Sequence, residues 1–211
     1  ENTDEYKYGL HSKTDKRREE VRKNLLYLFK KRPIPDEYLL TNMGLYTRSS
    51  ALAKILFLDE MYRKIIKVPG KIMVFGLWWG QDAIVFENLR AIHEPYNHAR
   101  KIVGFDTFTG YPGEEIGEND KESDIIKTGG YAVSDGYFDY LEKLAQYHED
   151  ENIMYNIKKM EFIKGDVVET VPAYFNSHPE IIVAMAYFDL ALYKPTKVCL
   201  EYVLKSCVRG G

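Results

Sequence analysis

Four short apolar runs, each closed by a glycine or an aspartate, constrain this chain more than any other feature. They cover residues 71–75 (KIMVF), 101–105 (KIVGF), 161–164 (EFIK) and 181–188 (IIVAMAYF). They run into Gly76, Asp106, Gly165-Asp166 and Asp189. Their apolar residues do not alternate with polar ones, as expected when helices cover both faces of a sheet. Helical spacing fills the intervals, over 82–92, from Ser134 to Gln146, over 168–175 and over 196–207. Strand and helix alternating at these lengths mean parallel strands joined by right-handed crossovers. The expected fold class is α/β, a doubly wound Rossmann-like parallel sheet.

Before the first strand the pattern is helical. Residues 14–31 place Val21, Leu25, Leu26 and Phe29 on one face, and Pro33 and Pro35 end the helix. A short helix is expected over 36–43. A longer one is expected over 47–67, with Leu52, Ile55, Leu56, Tyr62, Ile65 and Ile66 as its buried stripe, broken by Pro69-Gly70. The expected organisation is an N-terminal helical extension, 1–67, capping a ligand-binding domain, 68–211.

Composition narrows the partners. The 211 residues are 45% hydrophobic and 29% charged, which suits one globular core with an extension. With a net charge of −3 and no long basic run, nucleic acid is disfavoured. No apolar stretch reaches the ~18 residues of a membrane span. The first 24 residues are too charged for a secretory signal. Cys199 and Cys207 lie two turns apart on one expected helix, too far for a disulfide. The setting read from this is cytoplasmic, with reduced thiols. The chain begins at Glu1 and stops at Gly211, which reads as an excerpt of a longer product.

In open α/β sheets, ligands bind at the carboxyl ends of the strands, near the switch in strand order. Gly76 and Gly80 bracket the turn after the first strand, where missing side chains admit a cofactor or only ease packing. Asp106 stands where a carboxylate accepts the two hydroxyls of a ribose, or serves as a cap or a solvated loop acid. Asp166 suits an adenine amino group, or equally the N-cap of the next helix. Asp189 falls beside the place of a transferable group. The G-x-G-x-x-G turn of nicotinamide enzymes and the phosphate-binding P-loop are both absent. The expected cofactor is therefore an adenosine without phosphates, of which S-adenosylmethionine is the common example.

The resemblance then becomes specific. Val68-Pro-Gly-Lys-Ile-Met-Val-Phe-Gly-Leu-Trp-Trp-Gly-Gln, Glu94-Pro-Tyr-Asn-His, Gly104-Phe-Asp-Thr-Phe-Thr-Gly-Tyr-Pro, Lys164-Gly-Asp and Tyr187-Phe-Asp-Leu-Ala-Leu-Tyr-Lys-Pro-Thr resemble the macrocin O-methyltransferase family. That family is similar to class I S-adenosylmethionine-dependent methyltransferases acting on sugar hydroxyls of natural products, generally with a divalent metal. The resemblance implies that Gly76, Gly80, Asp106 and Asp166 contact the cofactor. It also implies that Arg48 reaches the methionine carboxylate, or else is a surface arginine. Asp189, at the end of an apolar strand, reads as the catalytic residue, either a metal ligand or an acceptor-orienting base, or else as a cap for the helix near Thr196, with Mg2+ in the full-length protein. The implied acceptor is a glycoside or nucleotide sugar, and a homo-oligomer fits the pattern.

Two positions depart from the family. Phe75 stands where an acid is common, and Ala191 stands two residues after Asp189 where a second acid is usual. They favour an alternative, a methyltransferase-like domain that binds a ligand or partner without turnover. A class I sheet also continues for about three further strands, and Val208-Arg-Gly-Gly resembles the turn into the fifth. His93 and His98 read more readily as loop histidines than as bases. His148 reads as a solvated helix-end residue. Trp78 and Trp79 line the cofactor pocket or pack on the sheet. The tyrosine-rich stretch 131–155 is a lid or an ordinary helical insertion.

Overall fold

The computed structural model describes residues 15–123 and 126–210. Residue 14 of the first expected helix and Gly211 lie outside the described residues. The elements, in order, are α1 (Lys16–Lys30), α2 (Asp36–Leu39) running into a 3₁₀ turn (Leu40–Leu45), α3 (Ser49–Ile65), β1 (Lys71–Phe75), α4 (Gln81–His93) and β2 (Ile102–Asp106). After two 3₁₀ turns come α5 (Tyr137–Asp150), β3 (Met160–Lys164), α6 (Val167–Ser177), β4 (Val183–Phe188) and α7 (Tyr193–Ser206). They form two compact units that divide within α3, one ending at Phe57 and the other beginning at Leu58.

The second unit holds a four-stranded sheet in the order β3-β2-β1-β4. All three pairings are parallel. Strand order reverses beside β1, so the switch point falls between β1 and β4, as the α/β pattern predicts. Alternate residues of each strand supply two cores. Ile72, Val74, Ile102, Met160 and Phe162 face Tyr62 of α3, Phe86 of α4 and Leu141 of α5. Met73, Phe75, Val103, Phe105 and Val183 face Val171 and Phe175 of α6 and Val203 of α7. Full burial contributes about 1.5–3 kcal/mol for each such side chain. A single parallel bridge joins Val183 to Cys207 beyond β4.

The helical stripes differ from expectation before Leu58. No described residue up to Phe57 is buried. In α1, Leu25 and Phe29 are half-buried, whereas Val21 and Leu26 are exposed. Phe29 meets the edge of Tyr46 at 5.0 Å, beneath the Arg32 guanidinium at 5.2 Å. In α3, Leu52, Leu56 and Ile66 are exposed, and the buried face is Leu58, Tyr62 and Ile65. Leu58, Tyr62 and Ile65 join the core on the sheet. Helix α7 starts at Tyr193, three residues before the expected 196, and Pro195 sits in its first turn, where a missing N–H costs nothing.

At the amino-terminal end of the sheet one buried cation fastens three segments. The Arg100 guanidinium donates to Ile65 O (2.9 Å), Val68 O (2.8 Å), Gly70 O (2.7 Å) and Glu94 Oε2 (2.8 Å). Tyr62 Oη and Asn97 Nδ2 complete the shell of Glu94, each at 2.7 Å. Burial alone would raise the Glu94 carboxyl's pKa. The hydrogen bonds from Arg100, Tyr62 and Asn97 outweigh that and hold it below its ordinary value. This occupies the Glu94-Pro-Tyr-Asn-His motif. His93 pairs with Asp59 (2.6 Å) and stacks on Tyr62, and His98 is exposed, so the structure gives neither histidine a place at the carboxyl edge.

Removing one partner of a buried pair strands the other. Arg100→Met should therefore lose about 3–5 kcal/mol in urea unfolding at pH 7. Because the folded pKa of Glu94 is depressed, its contribution is present above the ordinary value of 4.5 and lost as pH falls through the folded value. Glu94→Gln should accordingly differ most from wild type at neutral pH and least in acid. A gap that widens in acid would contradict this ion pair.

Candidate functional site

The strand register brings the marked residues to one edge. Phe75 pairs with Phe105 and with Phe188, and Asp106 pairs with Lys164. The ladder runs one residue further through Gly76 N to Phe105 O (2.9 Å), Gly165 N to Asp106 O (2.9 Å) and Asp189 N to Phe75 O (2.8 Å). Asp166, Asp106, Gly76 and Asp189 thus follow one another across β3, β2, β1 and β4. At the usual strand spacing, the row is roughly 14 Å long.

Asp106 organises this edge. Its Oδ2 accepts from the amides of Leu77 (2.7 Å) and Trp78 (2.8 Å), and its Oδ1 from the amide of Phe108 (2.7 Å). One carboxylate thereby fixes the turns after β1 and after β2. About four acceptor positions exist on a carboxylate, so three amides leave about one open. That suits one ribose hydroxyl rather than the pair expected from the sequence. Two of the residues it holds are strained: Trp78 has φ 48° and Phe108 φ 60°. Non-glycine residues in this region mark sites where surroundings override local preference.

The turn glycines are required by the backbone and its neighbours. Gly76 has φ 88°, and a Cβ there would stand 2.5 Å from Asp189 O. Gly80 has φ 77° as the N-cap of α4, and a Cβ there would stand 2.4 Å from a Leu141 methyl. The close approach at Gly76 is to the β4 turn, and at Gly80 it is to α5. Phe75, at the position of the expected acid, is fully buried between Phe105 (5.4 Å) and Phe188 (5.0 Å).

Asp166 is the N-cap of α6 and accepts from Val168 N (2.9 Å). Asp189 is exposed at the end of β4, and α7 is capped at Leu192, so Asp189 is not its cap. Ala191 is exposed. Among the described residues no group of three or more His, Cys, Asp and Glu is placed to hold a metal ion. Arg48 lies in the unit that ends at Phe57. It is exposed, and its carbonyl accepts the first hydrogen bond of α3 (2.9 Å).

Aromatic side chains gather near Asp106, among them the two tryptophans and the tyrosines of 131–155 that the sequence offered as pocket or lid, with Tyr111 added by the structure. Trp78 meets Tyr131 (5.6 Å) and Trp79 (5.8 Å), and Trp79 meets Tyr137 (4.7 Å), whose hydroxyl donates to Trp79 O (2.9 Å). Tyr131 meets Tyr111 (5.5 Å). Burial, then Tyr131, Asp189 and Asp106, push the Tyr111 phenol up to about 12, so it stays a hydroxyl donor at neutral pH. The segment carrying these tyrosines is tied to α7 by Lys194 Nζ donating to Glu115 Oε1 (2.9 Å) and Tyr193 N donating to Asp120 Oδ1 (3.3 Å). The signal was present: two tryptophans inside a glycine turn and a tyrosine in the Gly104–Pro112 stretch. A separate cleft of about 470 Å³, lined by Glu142, Glu149, Lys158 and Met160 among others, opens beside the start of β3, at the opposite end of that strand.

Asp106→Asn replaces an acceptor oxygen with a donor. It should loosen the turn and lower stability by about 1.5–3 kcal/mol. Trp78 and Trp79 are the only tryptophans, so the emission of the ligand-free protein should shift with it. Unchanged emission and an unchanged unfolding midpoint would remove Asp106 from this role.

No protein-family model and no curated protein matches the chain. Among solved structures, it is similar to CalS11, a calicheamicin methyltransferase, at 36% identity and a TM-score of 0.90, covering 100% of this chain and 81% of that one. The apo structure of CalS11, described as a TDP-rhamnose 3′-O-methyltransferase of calicheamicin biosynthesis, matches at 36% identity and 0.80, covering 94% and 77%. The O-methyltransferase NovP matches at 20% identity and 0.53, covering 73% and 60%, a likeness of fold alone.

Proposed function

Because the chain belongs to the O-methyltransferase family that includes CalS11, we propose that it methylates a hydroxyl of a sugar or sugar-containing small molecule. The observation that carries this reading is the single row of Gly76, Asp106, Asp166 and Asp189 along the carboxyl edge. The more particular likeness to macrocin O-methyltransferases is part of the proposal and rests on the quoted motifs. A nucleotide sugar such as TDP-rhamnose, the acceptor of that neighbour, is the acceptor class taken here. No helix among the described residues is long and apolar enough to cross a membrane.

The residues fit an adenosine cofactor without phosphates. Asp106 keeps about one acceptor position at the turn after β1, and Asp166 spends one oxygen on the α6 cap and keeps the other. S-adenosylmethionine, when bound, would supply a methyl group bonded to a sulfonium sulfur, which leaves as a neutral thioether. In this assignment Asp106 accepts from one ribose hydroxyl while holding the turn. Asp166 uses one oxygen as the cap and offers the other to the adenine edge. Arg48 is assigned to the methionine carboxylate from the sequence resemblance alone. Asp189 orients the acceptor hydroxyl and takes its proton, with much of the acceleration coming from positioning. A divalent metal held in part by Asp189 would polarise the acceptor oxygen.

Calorimetry should detect S-adenosylhomocysteine binding, and Asp106→Ala should weaken it by about 1.5–3 kcal/mol, the usual loss of hydrogen bonds to a charged group. An unaltered dissociation constant would remove the ribose role. Asp189→Asn keeps the shape and deletes the charge. It should leave S-adenosylhomocysteine affinity unchanged and slow methyl transfer to TDP-rhamnose by about 10²–10⁴-fold. A variant that turns over like wild type would make Asp189 structural.

A further inference from the structure

Three aromatic rings at the carboxyl edge have no part in the assignments above. Trp78 comes from the turn after β1, and Tyr111 and Tyr131 come from the long connection after β2. They converge, with centroids 5.6 Å apart for Trp78–Tyr131 and 5.5 Å for Tyr131–Tyr111. Each is half-buried.

Two of the three sit where glycine would be more comfortable. Trp78 has φ 48° and Tyr131 φ 63°. A glycine would take either conformation without strain. Bulky side chains held there by the fold indicate that the rings themselves are needed. The Tyr111 backbone is clamped from both sides, its N–H to Gly130 O (3.0 Å) and its carbonyl to the Gly129 amide (3.0 Å). The Trp78 amide is held by Asp106.

The indole of Trp78 supplies a second, independent observation. Its Nε1 is buried and has no hydrogen-bond partner. Buried donors are nearly always paired, and a tryptophan serving only as packing would turn its N–H to a carbonyl or to water. An unpaired donor beside half-buried aromatic rings matches a ligand with an apolar face and a hydroxyl rim. A pyranose has that form.

Position distinguishes acceptor from cofactor. The adenine end of the row is assigned to the β3 side, at Asp166. The connection that carries Tyr111 and Tyr131 is tied to the start of α7, directly after β4, by Lys194 Nζ donating to Glu115 Oε1 (2.9 Å) and Tyr193 N donating to Asp120 Oδ1 (3.3 Å), so it reaches the β4 side, where the acceptor hydroxyl is assigned. We propose that Trp78, Tyr131 and Tyr111 form the wall against which the acceptor sugar packs, and that these rings select the acceptor. This inference rests on the sugar O-methyltransferase reading given above.

The test uses the full chain with TDP-rhamnose as acceptor and S-adenosylhomocysteine as cofactor probe. Tyr131→Gly removes a ring and relieves its backbone. The variant should melt no lower than wild type and bind S-adenosylhomocysteine within twofold. Its KM for TDP-rhamnose should rise tenfold or more, with kcat changed less than threefold. Tyr111→Leu, which keeps apolar bulk, should behave alike and carries the test if Tyr131→Gly melts early. In the wild type saturated with S-adenosylhomocysteine, TDP-rhamnose should quench tryptophan emission, with a dissociation constant raised tenfold or more in both variants. A KM unchanged in both variants overturns the wall. So does a parallel loss of S-adenosylhomocysteine affinity, which would give the rings to the cofactor. The two failures are distinguishable. If the wild type binds S-adenosylhomocysteine but neither binds nor methylates TDP-rhamnose, the sugar-acceptor reading falls and takes this inference with it. If the wild type methylates TDP-rhamnose and both variants match it, the wall alone falls.

Discussion

The Asp106 carboxylate is the contact on which the carboxyl edge depends. It gathers three backbone amides from two successive crossovers, at 2.7–2.8 Å. Charge-assisted hydrogen bonds of this kind are roughly twice as strong as neutral ones. They hold Trp78 and Phe108 in left-handed conformations that neither residue adopts readily. With the two turns fixed, the indole of Trp78 has a defined position against Tyr131, and Gly76 is pressed to the carbonyl of Asp189. The residue assigned to the ribose is thus also the residue that shapes the site.

Arg100 is its counterpart at the other end of the strands. There a cation gathers three carbonyls and a carboxylate, so the segments that enter and leave the sheet are fixed by charge at both edges. The two locks differ in surroundings. Arg100 is 2% exposed and its partners come from the protein alone. Asp106 is partly accessible and keeps room for a ligand. The amino end is therefore built for permanence and the carboxyl end for exchange.

The strand runs were legible because parallel strands between helices have no polar face to hide: β1 appears as read, and β2, β3 and β4 begin one or two residues from the expected position. The acids were legible because each ends such a run. What a one-dimensional pattern does not carry is the third partner of each group. Asp106 reads as a ligand acid, yet most of its acceptor capacity goes to Leu77, Trp78 and Phe108. Asp166 admits both cap and ligand readings, and its oxygen is engaged as the cap. The Leu52 and Leu56 stripe has correct helical spacing, but periodicity does not tell whether a core lies opposite. Tyr111 and Tyr131 are 20 residues apart in sequence and meet only because the connection folds back at Gly129-Gly130.

The placement of β1 between β2 and β4 also sets an order of assembly. The glycine turn and Asp106 come from successive strands, joined through the single helix α4. The strand that brings Asp189 to Phe75 arrives more than a hundred residues later in the chain. Loop-closure entropy grows with separation, and non-local parallel pairing forms slowly. The turn after β1 and Asp106 can therefore meet while the β4 side of the edge is still an open strand border. For a growing chain, the corner proposed for the ribose forms before the side proposed for the acceptor.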